Sequence, residues 1–185
     1  MALTPSTMLP LGTAAPPFRL PAANPDVMGE TVSLDDVAAD GPFVVVFTCN
    51  HCPYAVHVED RLVEQARAWA GRGVATVAVS SNDAAAYPAD SFENMAGRAA
   101  EKAFPFPYLY DETQEVARAY DAACTPDFYL FDGARRLVYR GRLDDGRPGR
   151  DPTTADLDDA VRELVETGAV ASEQVPSMGC NIKWR

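Results

Sequence analysis

"VVVFTCNHCPYAVHVEDRL", residues 44–62, changes its pattern in the middle. It begins as a run of β-branched and aromatic residues, which is typical of a strand covered on both faces. From Tyr54 the apolar residues recur with the period of a helix, and GRG at 71–73 supplies a stop signal. Cys49 and Cys52 lie where one pattern replaces the other. The stretch therefore predicts a strand and a helix joined through a pair of thiols.

The remaining sequence predicts an α/β fold with a central mixed β-sheet, helices on both faces and an N-terminal β-hairpin extension. We expect one domain over residues 1–185, with a loose N-terminal arm at 1–15 and a C-terminal tail at 167–185. Further strands are predicted in FRL from Phe18, TVSL from Thr31, VATVAVS at 74–80, DFYLFD at 127–132 and RLVYRG at 136–141. Further helices are predicted over 90–103, where Asp90 has the pattern of a cap, over 111–120 and around 157–165.

Charge and composition exclude several classes of function. The formal net charge is −11 and the isoelectric point is near 4.5. Such a chain repels nucleic-acid phosphates and anionic membranes at neutral pH, so neither is expected as a partner. The first residues have no charged n-region followed by an apolar run, which predicts a cytoplasmic protein. Four cysteines are too few for a disulfide scaffold, and thiols in a reducing compartment are more often catalytic or metal-binding.

The two thiols at the strand–helix junction predict redox chemistry. A helix N-terminus stabilises an anion, so we expect a thiolate at Cys49 with a depressed pKa. Cys52 lies one helical turn deeper and is expected to resolve the mixed disulfide that Cys49 forms. As an imidazolium, His51 would stabilise the Cys49 thiolate and make the disulfide a better oxidant. The alternative for His51 is a polar residue without a role in catalysis.

A zinc site is the main alternative interpretation of these thiols. Its ligands would come from Cys49, Cys52, His51 or His57, and Cys124. Structural zinc usually uses two pairs of closely spaced ligands, and the chain has only one such pair. We therefore predict no bound metal and no organic cofactor.

Thr125 and Pro126 are a second sequence feature that indicates redox chemistry. They precede a predicted strand, and proline cannot donate a hydrogen bond to a sheet. A cis peptide bond there would leave the preceding backbone free to pair with an extended substrate beside the thiols. An ordinary trans proline at the start of the strand is the alternative. Cys124, just before this pair, is either an accessory thiol that traps Cys49 or a substrate, or a small buried apolar residue.

Two further residues are accessory candidates. Asp83 follows the strand 74–80, at the edge where open α/β sheets place functional loops; the alternative is a cap or turn. Cys180 lies in the tail VPSMGCNIKWR, which Trp184 could anchor, and a resolving role in this chain or in a partner chain is a hypothesis.

Several blocks together resemble a known family. The sequence from about Gly12 to the C-terminus resembles the peroxiredoxin-like (redoxin, AhpC/TSA-type) subgroup of the thioredoxin superfamily, through VVFTCNHCPYA, VAVSSNDAAAYPADSFENM, FPYLYDETQEVARAYDAACTPDFYLFD, LVYRGRLDD and GCNIKW. The resemblance implies a thioredoxin-like fold, with Cys49 and Cys52 as the redox pair and Pro126 as a cis-proline opposite them.

The resemblance also shows where this sequence departs from true peroxiredoxins. Cys52 aligns with their peroxidatic cysteine, Cys49 stands where they have a threonine, and Pro126 stands near the position of their catalytic arginine. Arg140 or Arg142 could replace that arginine, although surface contacts are the simpler expectation for both. These departures favour a thiol–disulfide oxidoreductase. The alternatives are a thiol peroxidase with Cys52 as the peroxidatic thiol, and a redox-sensing or metal-binding module without turnover.

The predicted partners follow from this chemistry. We expect a protein or small-molecule disulfide, or a peroxide, as the substrate, and a thioredoxin- or glutathione-type system as the reductant. The sequence permits a monomer and a homodimer equally.

Overall fold

Strands and helices alternate along the chain much as the sequence predicts. A computed structural model describes residues 3–39 and 41–185. The strands are β1 (Leu3–Pro5), β2 (Arg19–Pro21), β3 (Thr31–Ser33), β4 (Phe43–Phe47), β5 (Ala75–Ser80), β6 (Tyr108–Tyr110), β7 (Cys124–Thr125), β8 (Asp127–Phe131), β9 (Leu137–Gly141) and β10 (Met178–Asn181). The helices are α1 (Leu34–Val37), α2 (Pro53–Ala70), α3 (Phe92–Glu101), α4 (Glu115–Ala119) and α5 (Asp156–Thr167), and Pro88–Asp90 form a single 3₁₀ turn. Among the described residues, no helix is long and apolar enough to cross a membrane.

The central sheet has five strands in the order β6-β5-β4-β8-β9. Strands β4, β5 and β6 run parallel, whereas β8 pairs antiparallel with both β4 and β9. Every residue of β4 is buried, as its uninterrupted apolar sequence predicts for a strand covered on both faces. The predicted mixed sheet is confirmed.

Alternate residues of β4 contribute to two apolar cores on opposite faces of the sheet. Val44 and Val46 pack among residues of α2, α3 and α5. Phe43, Val45 and Phe47 pack among residues of α1 and α4. Successive side chains of a strand point to opposite faces, so a single five-residue strand holds both layers together. Helices therefore flank the sheet on both sides, as predicted.

The N-terminal region is more ordered than the predicted loose arm. Strands β2 and β3 form the predicted antiparallel hairpin. Within the arm, residues 3–5 form β1 and Ala14 bridges to Arg136, while residues 1 and 2 lie outside the described residues. The arm is held by backbone pairing to distant strands, which its proline-rich composition does not reveal.

A small second sheet, which the sequence analysis did not predict, joins both ends of the chain. Its order is β1-β10-β7, and both pairings are antiparallel. Cys180 of β10 is paired with Thr125 of β7 on one side and with Leu3 of β1 on the other. The C-terminal tail is thus a strand laid against the segment that contains Thr125.

Candidate active site

Helix α2 begins after Cys52, not at Cys49 as predicted. Its first residue is Pro53 and its N-cap is Cys52, whose backbone is extended (φ −72°, ψ 122°). Proline is favoured at the first helical position because it lacks the N–H that would be unpaired there, and it keeps the preceding residue extended. The prediction that Cys49 lies at the helix N-terminus is therefore wrong: Cys49 lies three residues before the N-cap. In the sequence, the Cys52-Pro53 dipeptide indicates this boundary.

The structure brings Cys49, Cys52 and Thr125 together. The Thr125–Pro126 peptide bond is cis, as expected for the segment opposite the thiols. Cys49 Sγ lies 3.3 Å from Thr125 Oγ1, and Cys52 Sγ lies 3.1 Å from the Thr125 carbonyl oxygen. Both thiols are buried, with 2% of Cys49 and none of Cys52 exposed. The two sulfurs face one short strand and are closed off from solvent.

Of the two thiols, Cys52 is the one whose ionised form is stabilised by its surroundings. Its pKa falls from 9.0 to about 4, and the largest cause is the hydrogen bond donated by the Cys49 thiol. Burial opposes ionisation, but the Cys180 thiol donates as well, and the backbone amides of Ala55 and Cys180 face the sulfur. The Thr125 carbonyl accepts from Cys52 only while that thiol is protonated, and the donors around the sulfur outweigh it. The local field therefore makes Cys52 the thiolate of the pair.

Cys49 is correspondingly the protonated thiol. Its pKa lies well above 9.0, first because its proton is held in the hydrogen bond to Cys52, then because the side chain is buried and the Asp90 carboxylate is close. The predicted depression of the Cys49 pKa is therefore wrong. The physical reason is that Cys49 is the donor in the hydrogen bond to Cys52 and is itself buried near a carboxylate, both of which favour the protonated form.

His51 is bound to a carboxylate that the sequence analysis did not identify as functional. Nδ1 of His51 lies 2.6 Å from Oδ2 of the fully buried Asp90. Asp90 also accepts hydrogen bonds from the Asn50 backbone and the Asn82 side chain, each at 2.8 Å. The His51 ring stacks on Tyr87, with ring centroids 5.3 Å apart. The imidazole is thus fixed in place, and its positive charge would be balanced by Asp90 before it could stabilise a Cys49 thiolate.

Asp90 is not the cap of helix α3 that its sequence pattern suggests. The N-cap is Ser91, whose hydroxyl accepts from the Asn94 backbone at 3.3 Å, and Asp90 ends the preceding 3₁₀ turn. Asp83, the predicted candidate, instead accepts from the Ala85 backbone in a turn. Asp83 thus matches the alternative of a turn residue, and the buried carboxylate of this loop is Asp90, seven residues further along.

The two remaining thiols differ in their surroundings. Cys124 is buried with Sγ 3.6 Å from the Pro126 carbonyl oxygen, and burial raises its pKa far above the ordinary value. This matches the alternative of a small buried apolar residue. Cys180 packs in one cluster with Cys49 and Cys52, and burial followed by the contact with Cys52 raises its pKa to about 11.

Neither arginine considered for peroxide chemistry directs its hydrogen bonds at the thiols. Arg140 is fully buried, contrary to the surface contacts expected for it, and it bonds to Thr7 and to the Asp121 carbonyl while facing Asp127 at 3.7 Å. Arg142 pairs with Asp156 at 3.1 Å. Both guanidinium groups therefore serve contacts between distant segments of the chain.

One cluster within the described residues offers metal-ligating atoms. Cys49, His51 and Asp90 each place one such atom within 4.8 Å of the other two. Of the ligands considered for zinc, Cys52, His57 and Cys124 are not part of this cluster. Within this cluster His51 and Asp90 bond to each other, and Asp90 accepts hydrogen bonds from two further donors, the Asn50 backbone and the Asn82 side chain.

A groove of about 280 Å³ lies between helix α2 and the segment that contains Pro126. Tyr54, Pro126 and Phe128 belong to its apolar part, and its charged lining comes from Arg142, Asp144, Asp145 and Arg147. Met178 of β10 lies at its wall and is 42% exposed. The groove therefore reaches the cis-proline segment and ends against the strand that covers the thiols.

Comparisons with known proteins show the family and similar solved structures. Residues 11–140 match the model of the AhpC/TSA family. The chain is 51% identical to an uncharacterized conserved protein from Geobacillus kaustophilus, with a TM-score of 0.93 and coverage of 100% of this chain and 97% of that one. It is 44% identical to a hypothetical protein from Sinorhizobium meliloti, with a TM-score of 0.92 and coverage of 98% of both chains. No curated protein matches the sequence.

The general fold is shared more widely. The thioredoxin domain of a thiol-disulfide oxidoreductase from Bacteroides vulgatus is 19% identical, with a TM-score of 0.63 over 85% of this chain and 99% of that one. At this level of identity the likeness concerns the fold alone. The predicted thioredoxin-like fold is confirmed.

Proposed function

Because this chain belongs to the AhpC/TSA family, we propose that it is a thiol–disulfide oxidoreductase in which Cys52 attacks the substrate and Cys49 resolves the mixed disulfide. Family and fold support a redox function of the thioredoxin-like type. The observation that carries the finer proposal is the pKa of Cys52, lowered to about 4 by donors that include the Cys49 thiol. This order of the thiols is the reverse of the order that the sequence analysis predicted.

The first step uses the Cys52 thiolate. It attacks one sulfur of a substrate disulfide, the substrate S–S bond breaks, and the departing thiolate takes a proton from water. A mixed disulfide then joins Cys52 to one half of the substrate. A thiolate stable at neutral pH supports this role, since the thiolate is the nucleophile.

The second step needs a proton to leave Cys49. The hydrogen bond to a Cys52 thiolate is gone at this stage, but burial and the nearby Asp90 carboxylate still oppose ionisation of Cys49. A ring nitrogen of His51 lies within 4.8 Å of the Cys49 sulfur, and Asp90 fixes that ring. We assign the His51–Asp90 pair as the base that accepts this proton. The Cys49 thiolate then attacks Cys52 Sγ, forms the Cys49–Cys52 disulfide and releases the second substrate thiolate, which is protonated. The substrate disulfide is reduced to two thiols, and the two protein thiols are oxidised to one disulfide.

Disulfide exchange fits this site better than peroxide reduction. Cleavage of a peroxide O–O bond needs donors aimed at the charge that develops on the leaving oxygen. Arg140 and Arg142 make their hydrogen bonds elsewhere. The resemblance to true peroxiredoxins also implies that Cys49 replaces their threonine, so that its hydroxyl donor is missing. In exchange the leaving group is a thiolate, which needs less stabilisation.

A thiol peroxidase is the second candidate, because the family match and the low pKa of Cys52 next to Pro53 both favour it. In that case Cys52 becomes a sulfenic acid and Cys49 condenses with it, releasing water.

Partners and location belong to the same proposal. We propose a cytoplasmic protein that receives electrons from a thioredoxin- or glutathione-type reductant. The described surface is consistent with either a monomer or a homodimer.

The test compares two oxidants at equal concentration. Pre-reduced protein is mixed with oxidised glutathione or hydrogen peroxide, quenched with acid at early times and mapped by mass spectrometry. We expect faster reaction with glutathione disulfide, ending in Cys49–Cys52, with the first adduct on Cys52 in Cys49→Ser and no adduct at a comparable rate in Cys52→Ser. Cys124→Ser is the matched control and should react like the unmodified protein.

Two results would contradict the proposal. Faster reaction with peroxide and a sulfenic acid on Cys52 would make the protein a peroxidase. An adduct on Cys49 that forms in Cys52→Ser at the unmodified rate would restore the predicted order of the thiols.

A further inference from the structure

Strand β10 lies where the sequence analysis expected an extended substrate. The backbone before Pro126 was predicted to be free for pairing with a substrate strand. Instead, Cys180 and Asn181 of β10 pair antiparallel with Thr125 and Cys124 of β7. The chain therefore supplies its own strand beside the thiols, and that strand carries a cysteine.

Gly179 makes this close approach achievable. A Cβ atom at Gly179 would lie 2.0 Å from the Thr125 carbonyl oxygen and 2.7 Å from its carbonyl carbon. Real side chains do not tolerate such distances to backbone atoms, so only glycine lets β10 come this near to β7. The next residue, Cys180, is thereby held against the site.

Cys180 is in direct contact with the attacking thiolate. Its thiol donates to Cys52, its backbone amide faces the same sulfur, and its side chain packs with Cys49, Cys52 and Ala55. Cys52 thus lies between two protonated thiols, Cys49 on one side and Cys180 on the other. The mechanism proposed above uses only one of them.

We propose that Cys180 is a second resolving thiol, which forms an intrachain disulfide with Cys52. This inference rests on the proposed function, because it requires Cys52 to carry the mixed disulfide. Since Cys52 is fully buried, β10 must separate from β7 to admit a substrate, and its return brings Cys180 back to Cys52.

The chemistry is balanced without another oxidant. After Cys52 has taken one half of the substrate, the Cys180 thiol gives up its proton to water and attacks Cys52 Sγ. The bond from Cys52 to the substrate breaks, the Cys52–Cys180 disulfide forms, and the released substrate thiolate is protonated. A Cys49 thiolate can then attack the same Cys52 sulfur, which forms Cys49–Cys52 and regenerates the Cys180 thiol.

The experiment removes Cys49 so that only Cys180 can resolve the adduct. Reduced Cys49→Ser, Cys49→Ser/Cys180→Ser and Cys49→Ser/Cys124→Ser are each treated with oxidised glutathione, and the bonds are mapped over time. We expect the glutathione adduct on Cys52 to convert to an intrachain Cys52–Cys180 disulfide in the first and third variants. In the second variant this disulfide is lost and the adduct persists.

The outcomes separate this inference from the proposed function. If Cys52 takes up glutathione but Cys49→Ser keeps the adduct as long as the double variant with Cys180→Ser, the role of Cys180 is overturned and the proposed function stands. A Cys52–Cys180 bond found only between two chains on a non-reducing gel overturns it as well. If Cys52 takes up no glutathione in Cys49→Ser/Cys180→Ser, where neither neighbouring thiol can resolve the adduct, the proposed function itself fails.

One measurement does not depend on how well the variants fold. Partial oxidation of the unmodified protein, quenched early, should show both Cys52–Cys180 and Cys49–Cys52. Finding only Cys49–Cys52 at every time point would overturn the inference.

Discussion

Replacing Cys49 by alanine tests the electrostatics of the thiol pair. The Cys49 thiol is the largest cause of the low pKa of Cys52, which is about 4. A hydrogen bond to a charged group contributes about 1.5–3 kcal/mol, and one pKa unit corresponds to about 1.36 kcal/mol. Losing this donor should therefore raise the Cys52 pKa by about one to two units, to about 5–6. Because the thiolate is lost as pH falls through the pKa, its disappearance should begin at higher pH in Cys49→Ala.

The assay is the ultraviolet absorbance of the thiolate, which does not require access to the buried sulfur. Reduced protein is titrated from neutral to acid pH, and Cys52→Ser gives the background. Cys49→Ser keeps a hydroxyl donor and should titrate close to the unmodified protein, which separates the hydrogen bond from the change in packing. The reasoning is refuted if Cys49→Ala titrates like the unmodified protein, or if the unmodified protein shows no thiolate at neutral pH.

Three further predictions concern the scaffold, and all are checked by urea unfolding. Asp90→Ala removes the acceptor of three donors, one buried and two partly buried, and should lower the free energy of unfolding by about 3 kcal/mol, with a smaller decrease for Asp90→Asn. Burial raises the pKa of Asp127 from 3.8 to about 7, so the folded state favours the protonated carboxyl. Its contribution to the free energy of unfolding is therefore lost as pH rises through that range. The free energy of unfolding of Asp127→Asn should not show this decrease. Gly179→Ala should lower the free energy of unfolding by about 1–3 kcal/mol because its Cβ meets the Thr125 carbonyl. Gly97→Ala is the control, because a Cβ there lies in open space and should not destabilise the protein. Equal effects of the two substitutions would contradict the close approach of β10 to β7.

The sequence determined the central sheet and the position of two cysteines at a strand–helix junction. Both depend on local patterns: the apolar run of β4, the helical period of α2, and two cysteines between them. Pro53 even carried the information that places the helix start after Cys52, because a proline at the first helical position restricts the residue before it.

Only the tertiary structure decided which thiol is ionised and what surrounds it. The pKa of Cys52 depends on donors from Cys49 and from Cys180, which is more than a hundred residues away in sequence. His51 finds Asp90 because the loop after β5 folds back over the end of β4, and Cys180 reaches the site through a four-residue strand with little pattern of its own. Hydrogen bonds and charges act over a few ångströms in space whatever the separation along the chain. The sequence therefore determined the fold and a pair of thiols typical of redox chemistry, whereas contacts between distant segments decided the pKa values of those two thiols.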